Sequence, residues 1–305
     1  AEDIYKAEED SDIADVLKTM PKWNSNGRAM LPLTDNWAEH IEDLKAFHRT
    51  NGYGMFAKFV AFTWRNEEFV PITAIDSIRL TDLKNYEVQR GKVVDNTVAF
   101  ISDLPANNVL LYGDRGTGKS STVHAILNEY KNKGLRMIEI SKGDINDLTM
   151  IREKISDSPM KFIIFIDDLS FDNHDDSFGE LKAALEGSLS GRQNNTLIYA
   201  TSNRRHLIKE NFSDRENDVN RSDTLQEELS LSDRFGLSIT FINPDKKDFE
   251  DIVQKIATDR GLKSDMEKIL FTAEQWARRR GGRSPRCARQ FIDYVESCEK
   301  RNIEW

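Results

Sequence analysis

Eight residues, Gly113-Asp-Arg-Gly-Thr-Gly-Lys-Ser120, constrain this chain more than any other stretch. They follow the apolar run Val109-Leu110-Leu111-Tyr112 and lead into a helical pattern at Val123, Ile126 and Leu127. Strand, glycine-rich loop and helix, in that order, are the setting a phosphate-binding loop requires. Glycines let successive backbone N–H groups turn inward around a di- or triphosphate. The N-terminus of the following helix adds its positive dipole end. Binding residues are therefore expected at Gly113, Asp114, Arg115, Gly116, Thr117, Gly118, Lys119, Ser120 and Ser121. Lys119 is placed to reach the β- and γ-phosphates, and the Ser120 hydroxyl to hold Mg²⁺. The motif implies a bound nucleoside triphosphate.

Around this loop the pattern alternates. Apolar runs at 109–112, 136–140, 162–166, 196–200 and 237–242 are separated by helical or loop segments. Such alternation predicts an α/β core with a five-stranded parallel sheet over residues 76–243. Beyond Pro244 the strand signal ends and three helices are expected over 244–305. Phe249, Ile252, Val253 and Ile256 line the first; Met266, Ile269, Leu270 and Trp276 line the second. Ser284 caps the third, with Pro285 in its first turn. Residues 1–75 read as a small N-terminal module with an amphipathic helix from Trp37 to His48. Within it, Phe59–Trp64 fits a strand and a buried helix equally. A further helix is expected from Leu80–Gln89 to about Ser102.

Two more strand ends carry polar groups. Phe162-Ile-Ile-Phe-Ile runs into Asp167-Asp168, which places Asp167 beside the phosphate loop to orient Mg²⁺ and Asp168 to polarise an attacking water. Thr196-Leu-Ile-Tyr-Ala ends in Thr201-Ser202-Asn203, three residues able to hydrogen-bond a γ-phosphate or hold that water. Arg234 precedes the last strand in Leu231-Ser-Asp-Arg-Phe-Gly-Leu237, and Arg286 sits at the start of the third C-terminal helix.

Taken together these features resemble the AAA+ ATPases over residues 78 to 300: Walker A, Walker B, sensor 1, arginine finger and sensor 2, in order. Within that superfamily the chain is similar to the bacterial ATP-binding family known as domain of unknown function 815. That likeness rests on Asn107–Ser121, Asp167–Phe171, Tyr199–Leu207 and Ser230–Leu237. The resemblance implies ATP and Mg²⁺ as cofactors. It gives Lys119 and Ser120 the Walker A roles and Ser120 with Asp167 the metal. It assigns catalysis to Asp168, Asn203 and Arg234, and sensor 2 to Arg286, with Arg283 and Arg289 as substitutes. It further implies a helical lid, a homo-oligomer in which Arg234 reaches a neighbour's ATP, and remodelling of a protein partner still to be identified. Alternatives are an ATP-gated scaffold with little hydrolysis and a loader of DNA or helicase.

Two departures from the AAA+ pattern have consequences. Most members end Walker B in Asp-Glu; here the pair is Asp167-Asp168, one methylene shorter by about 1.5 Å. Misplacement on that scale costs about 10²-fold, so slow turnover is expected. After the second strand, Ser141–Leu148 contains no aromatic residue, which speaks against polypeptide threading.

Composition narrows the partners. The net charge of −9 argues against a dedicated nucleic-acid binder, although six arginines and no acid lie in 278–289. No window approaches a membrane span, and the N-terminus lacks a signal-peptide pattern, so a cytoplasmic protein is expected. Cys287 and Cys298 are about 16 Å apart along one helix, too far for a disulfide, and read as packing residues. The cluster at 172–176, Arg204-Arg205-His206 and the charged segment 209–223 read as solvated or boundary-packing segments, with no metal site assigned.

Overall fold

A computed structural model describes residues 37–171, 176–186, 195–203 and 233–305. The cluster at 172–175, Arg204-Arg205-His206 and the segment 209–223 lie outside the described residues. The chain divides into two compact units, residues 1–47 and 48–305. The described part of the first is a 3-10 turn, Trp37–His40, and the beginning of helix α1, Ile41–Asn51.

The second unit continues with α2 (Gly54–Lys58), β1 (Ala61–Arg65), β2 (Glu68–Pro71), α3 (Glu87–Ile101), β3 (Val109–Gly113) and α4 (Lys119–Tyr130). Then follow β4 (Leu135–Ile140), α5 (Leu148–Ile155), β5 (Lys161–Ile166), α6 (Asp176–Glu186), β6 (Thr196–Ser202) and β7 (Leu237–Phe241). Three helices close the chain: α7 (Lys246–Asp259), α8 (Met266–Arg279) and α9 (Pro285–Lys300). No helix among the described residues is long and apolar enough to cross a membrane.

Among the described residues seven strands form one sheet in the order β2-β1-β4-β5-β6-β3-β7, parallel except where β2 runs against β1. The five expected strands are β3 to β7. The sheet is larger than expected because residues 61–71, read from sequence as part of a separate module, add a hairpin along the β4 edge. Ala61 pairs with Met137, and Arg65 with Glu68. Asn66 and Glu67 make the connection at φ +50° and +60°. Two left-handed residues give a turn whose twist matches the strands it joins. Phe62 and Trp64 then point into the core, and the Trp64 indole N–H donates to Asp147 at 2.8 Å. Of Phe59–Trp64, left open between strand and helix, Ala61–Trp64 is strand, while Phe59 caps the end of α2.

β5 is buried along its whole length, as a central parallel strand covered by helices on both faces must be. One apolar cluster, with Phe62, Ile138, Ile164 and Phe235, fills one face of the sheet. Another, with Val93, Leu111, Ile126 and Tyr199, fills the other. α7, α8 and α9 bury a third cluster of their own around Phe249, Ile269 and Phe291. The Ser284 side chain accepts from Cys287 N and Pro285 opens α9, so this helix begins where its capping residues dictate. Both cysteines are buried in α9.

Candidate functional site

β3 lies between β6 and β7, so the loop leaving its carboxyl end opens into the crevice where the strand order reverses. Gly113 ends β3 at φ +127°, where a Cβ would sit 2.1 Å from the Phe241 carbonyl oxygen; glycine is obligatory there. Gly118 caps α4 from the left-handed region, at φ +95°. The loop is bolted to β7 by Asp114, whose N–H donates to Phe241 O at 2.8 Å and whose Oδ2 accepts from Asn243 N at 2.7 Å. The start of α9 rests on the same loop, with Arg286 N donating to Gly116 O at 3.1 Å.

Four elements converge on a cleft of about 400 Å³. Its walls include Arg115, Gly116, Gly118, Lys119, Ser120 and Ser121 from the loop and α4. Asp167 and Asp168 come from the end of β5, Asn203 from the end of β6, and Arg286 from α9. Lys119 is buried; its Nζ donates to Gly113 O at 3.0 Å, Asp114 O at 2.7 Å and Asn203 Oδ1 at 3.0 Å. Burial lowers its pKa to about 8, against the upward pull of Asp114, Asp168 and Asp167; the nearby Arg286 adds to the lowering. Ser120 Oγ donates to Asp167 Oδ1 at 2.6 Å, and Thr201 Oγ1 donates to the same oxygen. Asn203 Nδ2 donates to Asp168 Oδ1 at 2.6 Å, so one amide joins the ammonium to the second carboxylate.

Several expected residues stand elsewhere. The Asp114 carboxylate faces the chain leading to α7 rather than the cleft. Thr117 is buried and donates to Asp114 O at 2.9 Å, which stiffens the loop. Thr201 and Ser202, expected to meet a ligand, are 1% and 0% exposed. Neither lines the cleft; Asn203 alone of that trio does. Arg234 lies in a helical turn before β7, anchored by the fully buried Phe235, and is not part of the cleft's own wall.

The C-terminal arginines are now distinguishable. Arg283 donates twice to Glu274, at 2.9 and 2.7 Å, and Arg278 once at 3.0 Å. Those bonds, Arg283's first, hold the Glu274 carboxyl at about 2, far below its usual range. Arg289 faces a second, narrower cavity of about 30 Å³ that adjoins the loop at Thr117 and Gly118. Its other walls include Tyr86, Phe241, Ile252 and Ile256. Sequence reasoning missed Tyr86, whose hydroxyl donates to Ile242 O at 2.6 Å. Its only signal was an aromatic residue just before a helix.

Hard oxygen donors suit Mg²⁺, and Ser120 Oγ with the Asp167 carboxylate supply two within hydrogen-bond reach of each other. Asp167 Oδ2 has no partner among the described residues. These residues fit the ion that the loop chemistry implies.

A family model described as "Protein of unknown function (DUF815)" matches residues 57–299. No curated protein matches the chain in sequence. Among solved structures, one point variant of RuvB from Thermotoga maritima is similar at 16% identity, with a TM-score of 0.52 over 74% of this chain and 67% of that one. A second variant is 15% identical, with a TM-score of 0.51 over 74% and 68%. At such identity the likeness is one of fold.

Proposed function

Because this chain belongs to the DUF815 family of proteins of unknown function and has the AAA+ fold, we propose that it is an ATPase whose catalytic sites are completed between subunits. The observation that carries this reading is the convergence of Lys119, the Ser120–Asp167 pair, the Asp168–Asn203 pair and Arg286 on one cleft. Backbone N–H groups of the loop and the Lys119 ammonium bind the β- and γ-phosphates. Ser120 and Asp167 hold Mg²⁺, which neutralises charge on the phosphate oxygens. Asp168 orients the attacking water and accepts its proton, while Asn203 sets the position of that carboxylate. Arg286 reads the γ-phosphate from the helical lid formed by α7 to α9. Arg234, outside its own cleft, serves the ATP of an adjacent subunit in a homo-oligomer. The energy of turnover is spent on moving the lid and remodelling a protein partner.

Arg234→Ala is the decisive variant. It keeps ATP affinity and lowers phosphate release by about 10³–10⁵-fold. Undiminished release would refute the shared site.

A second reading, an ATP-gated scaffold with little hydrolysis, is favoured by the hydrogen bond that occupies Asp168 Oδ1. The DNA- or helicase-loading alternative has weaker support. Of the six arginines in 278–289, Arg278 and Arg283 are committed to Glu274, and Arg280 lies 4.1 Å from the Trp276 ring centre. Arg286 and Arg289 face the two cavities.

A further inference from the structure

β5 does not end as its neighbours do. Its pairing with β6 runs in register to Ile166 opposite Ala200, and the next two residues leave the ladder. Asp168 adopts φ +51°, a left-handed conformation that L-residues other than Asn and Asp seldom occupy. Pairing resumes one residue later, where Leu169 N donates to Thr201 O at 2.7 Å. Thr201 therefore faces the whole bulge, and its hydroxyl fills the gap. Oγ1 accepts from Asp168 N at 2.9 Å and donates to Asp167 Oδ1. One buried side chain thus satisfies the backbone of one acid and orients the carboxylate of the other.

From this geometry we infer that Thr201 is a positioning residue for the Asp167-Asp168 pair, and that the left-handed turn it holds compensates for the short Asp168 side chain. The inference rests on the ATPase reading. Thr201 touches no ligand, since it does not line the cleft. Its hydroxyl and that of Ser120 both meet Oδ1 of Asp167, which leaves Oδ2 without a hydrogen-bond partner among the described residues and able to ligate a cation. The fixed backbone at 168 carries the shorter carboxylate to Asn203, 2.6 Å away. A longer side chain has no gap left to bridge and fits the left-handed region less well than aspartate. Asp168→Glu accordingly lowers turnover rather than raising it.

The test uses the full chain and two variants. Thr201→Val keeps the shape and removes the hydroxyl; Thr201→Ser keeps the hydroxyl. Mg²⁺ is titrated into the ATP-loaded protein by calorimetry, ATP affinity is measured without Mg²⁺, and phosphate release is followed separately. Thr201→Val is expected to weaken the Mg²⁺ affinity by about 10–100-fold and lower kcat, with Mg²⁺-free ATP binding unchanged and Thr201→Ser close to wild type. Wild-type Mg²⁺ affinity and kcat in a folded Thr201→Val would overturn the inference. Should that variant not fold, hydrogen exchange in the wild type decides: a protected Asp168 amide supports the bond to Thr201, and a freely exchanging one contradicts it. A wild type that binds no ATP refutes the ATPase reading instead, while the exchange measurement still judges the role of Thr201.

Discussion

The cleft and the three C-terminal helices treat charge in opposite ways. In the helices, charged groups are matched to partners: Glu274 holds Arg278 and Arg283, and Arg260 holds Asp293 and Glu296. There the pairing favours the ionised form, and the Glu274 carboxyl is depressed to about 2. In the cleft, the hydrogen-bond partners of the Lys119 ammonium among the described residues are neutral oxygens, and burial makes its charge harder to keep, at about 8. Balanced charge stabilises a structural unit. Charge left incompletely balanced is stored affinity for an anion.

That contrast breaks first on pH. Below about 8 the empty cleft already carries the Lys119 proton. Above it, ATP binding must take a proton from solvent, so affinity falls by at most about tenfold per pH unit. Fluorescence titrations across that range, in buffers of differing ionisation enthalpy, read the proton uptake directly. A flat profile would mean that Lys119 is not where the phosphates bind.

Glu274→Gln sharpens the other half of the comparison. The folded carboxyl titrates below its unfolded value, so its contribution to stability is present above about pH 4.5 and lost as pH falls toward 2. The variant should cost about 1 kcal/mol in thermal unfolding at neutral pH and flatten the acid limb of the profile. ATP affinity should stay unchanged, because the hydrogen-bond partners of Glu274 among the described residues, Arg278 and Arg283, do not line the cleft. A loss of binding equal to the loss of stability would show that the two regions are one unit.

The smallest effect is expected at the seam. Lys84 Nζ lies 2.6 Å from Asp259 at the end of α7, an ion pair that joins the segment before α3 to the C-terminal helices. Lys84→Ala should speed nucleotide dissociation by about 2–5-fold in stopped flow, with thermal stability little changed. No change in the off-rate would mean the lid is not held at that point.

How much of this was legible in the sequence follows from how local each determinant is. Gly113 and Gly118 announce themselves because only glycine meets the backbone demands there, and the Ser284–Pro285 cap needs no residue outside its own turn. The β5 run was legible because a strand buried on both faces has few polar options. The hairpin was not: five residues from Ala61 to Arg65 are too few to separate the strand period from a helical one, and Asn66-Glu67 lacks the glycine that marks such turns. The direction of the Asp114 carboxylate was not legible because its partner, Asn243, is 129 positions away. The inward direction of Thr201 was not legible because strand-end hydroxyls advertise polarity without direction. The identity of the cleft arginine depended on Glu274, a buried acid whose two partners leave Arg286 to face the phosphate loop.

Calorimetry of Mg²⁺-ATP added to the wild type and to Lys119→Ala tests the central claim most directly. A saturable signal in the wild type, weakened by at least about 100-fold when the buried ammonium is removed, is the predicted result. Equal binding by both proteins, or none by a folded wild type, would contradict the account.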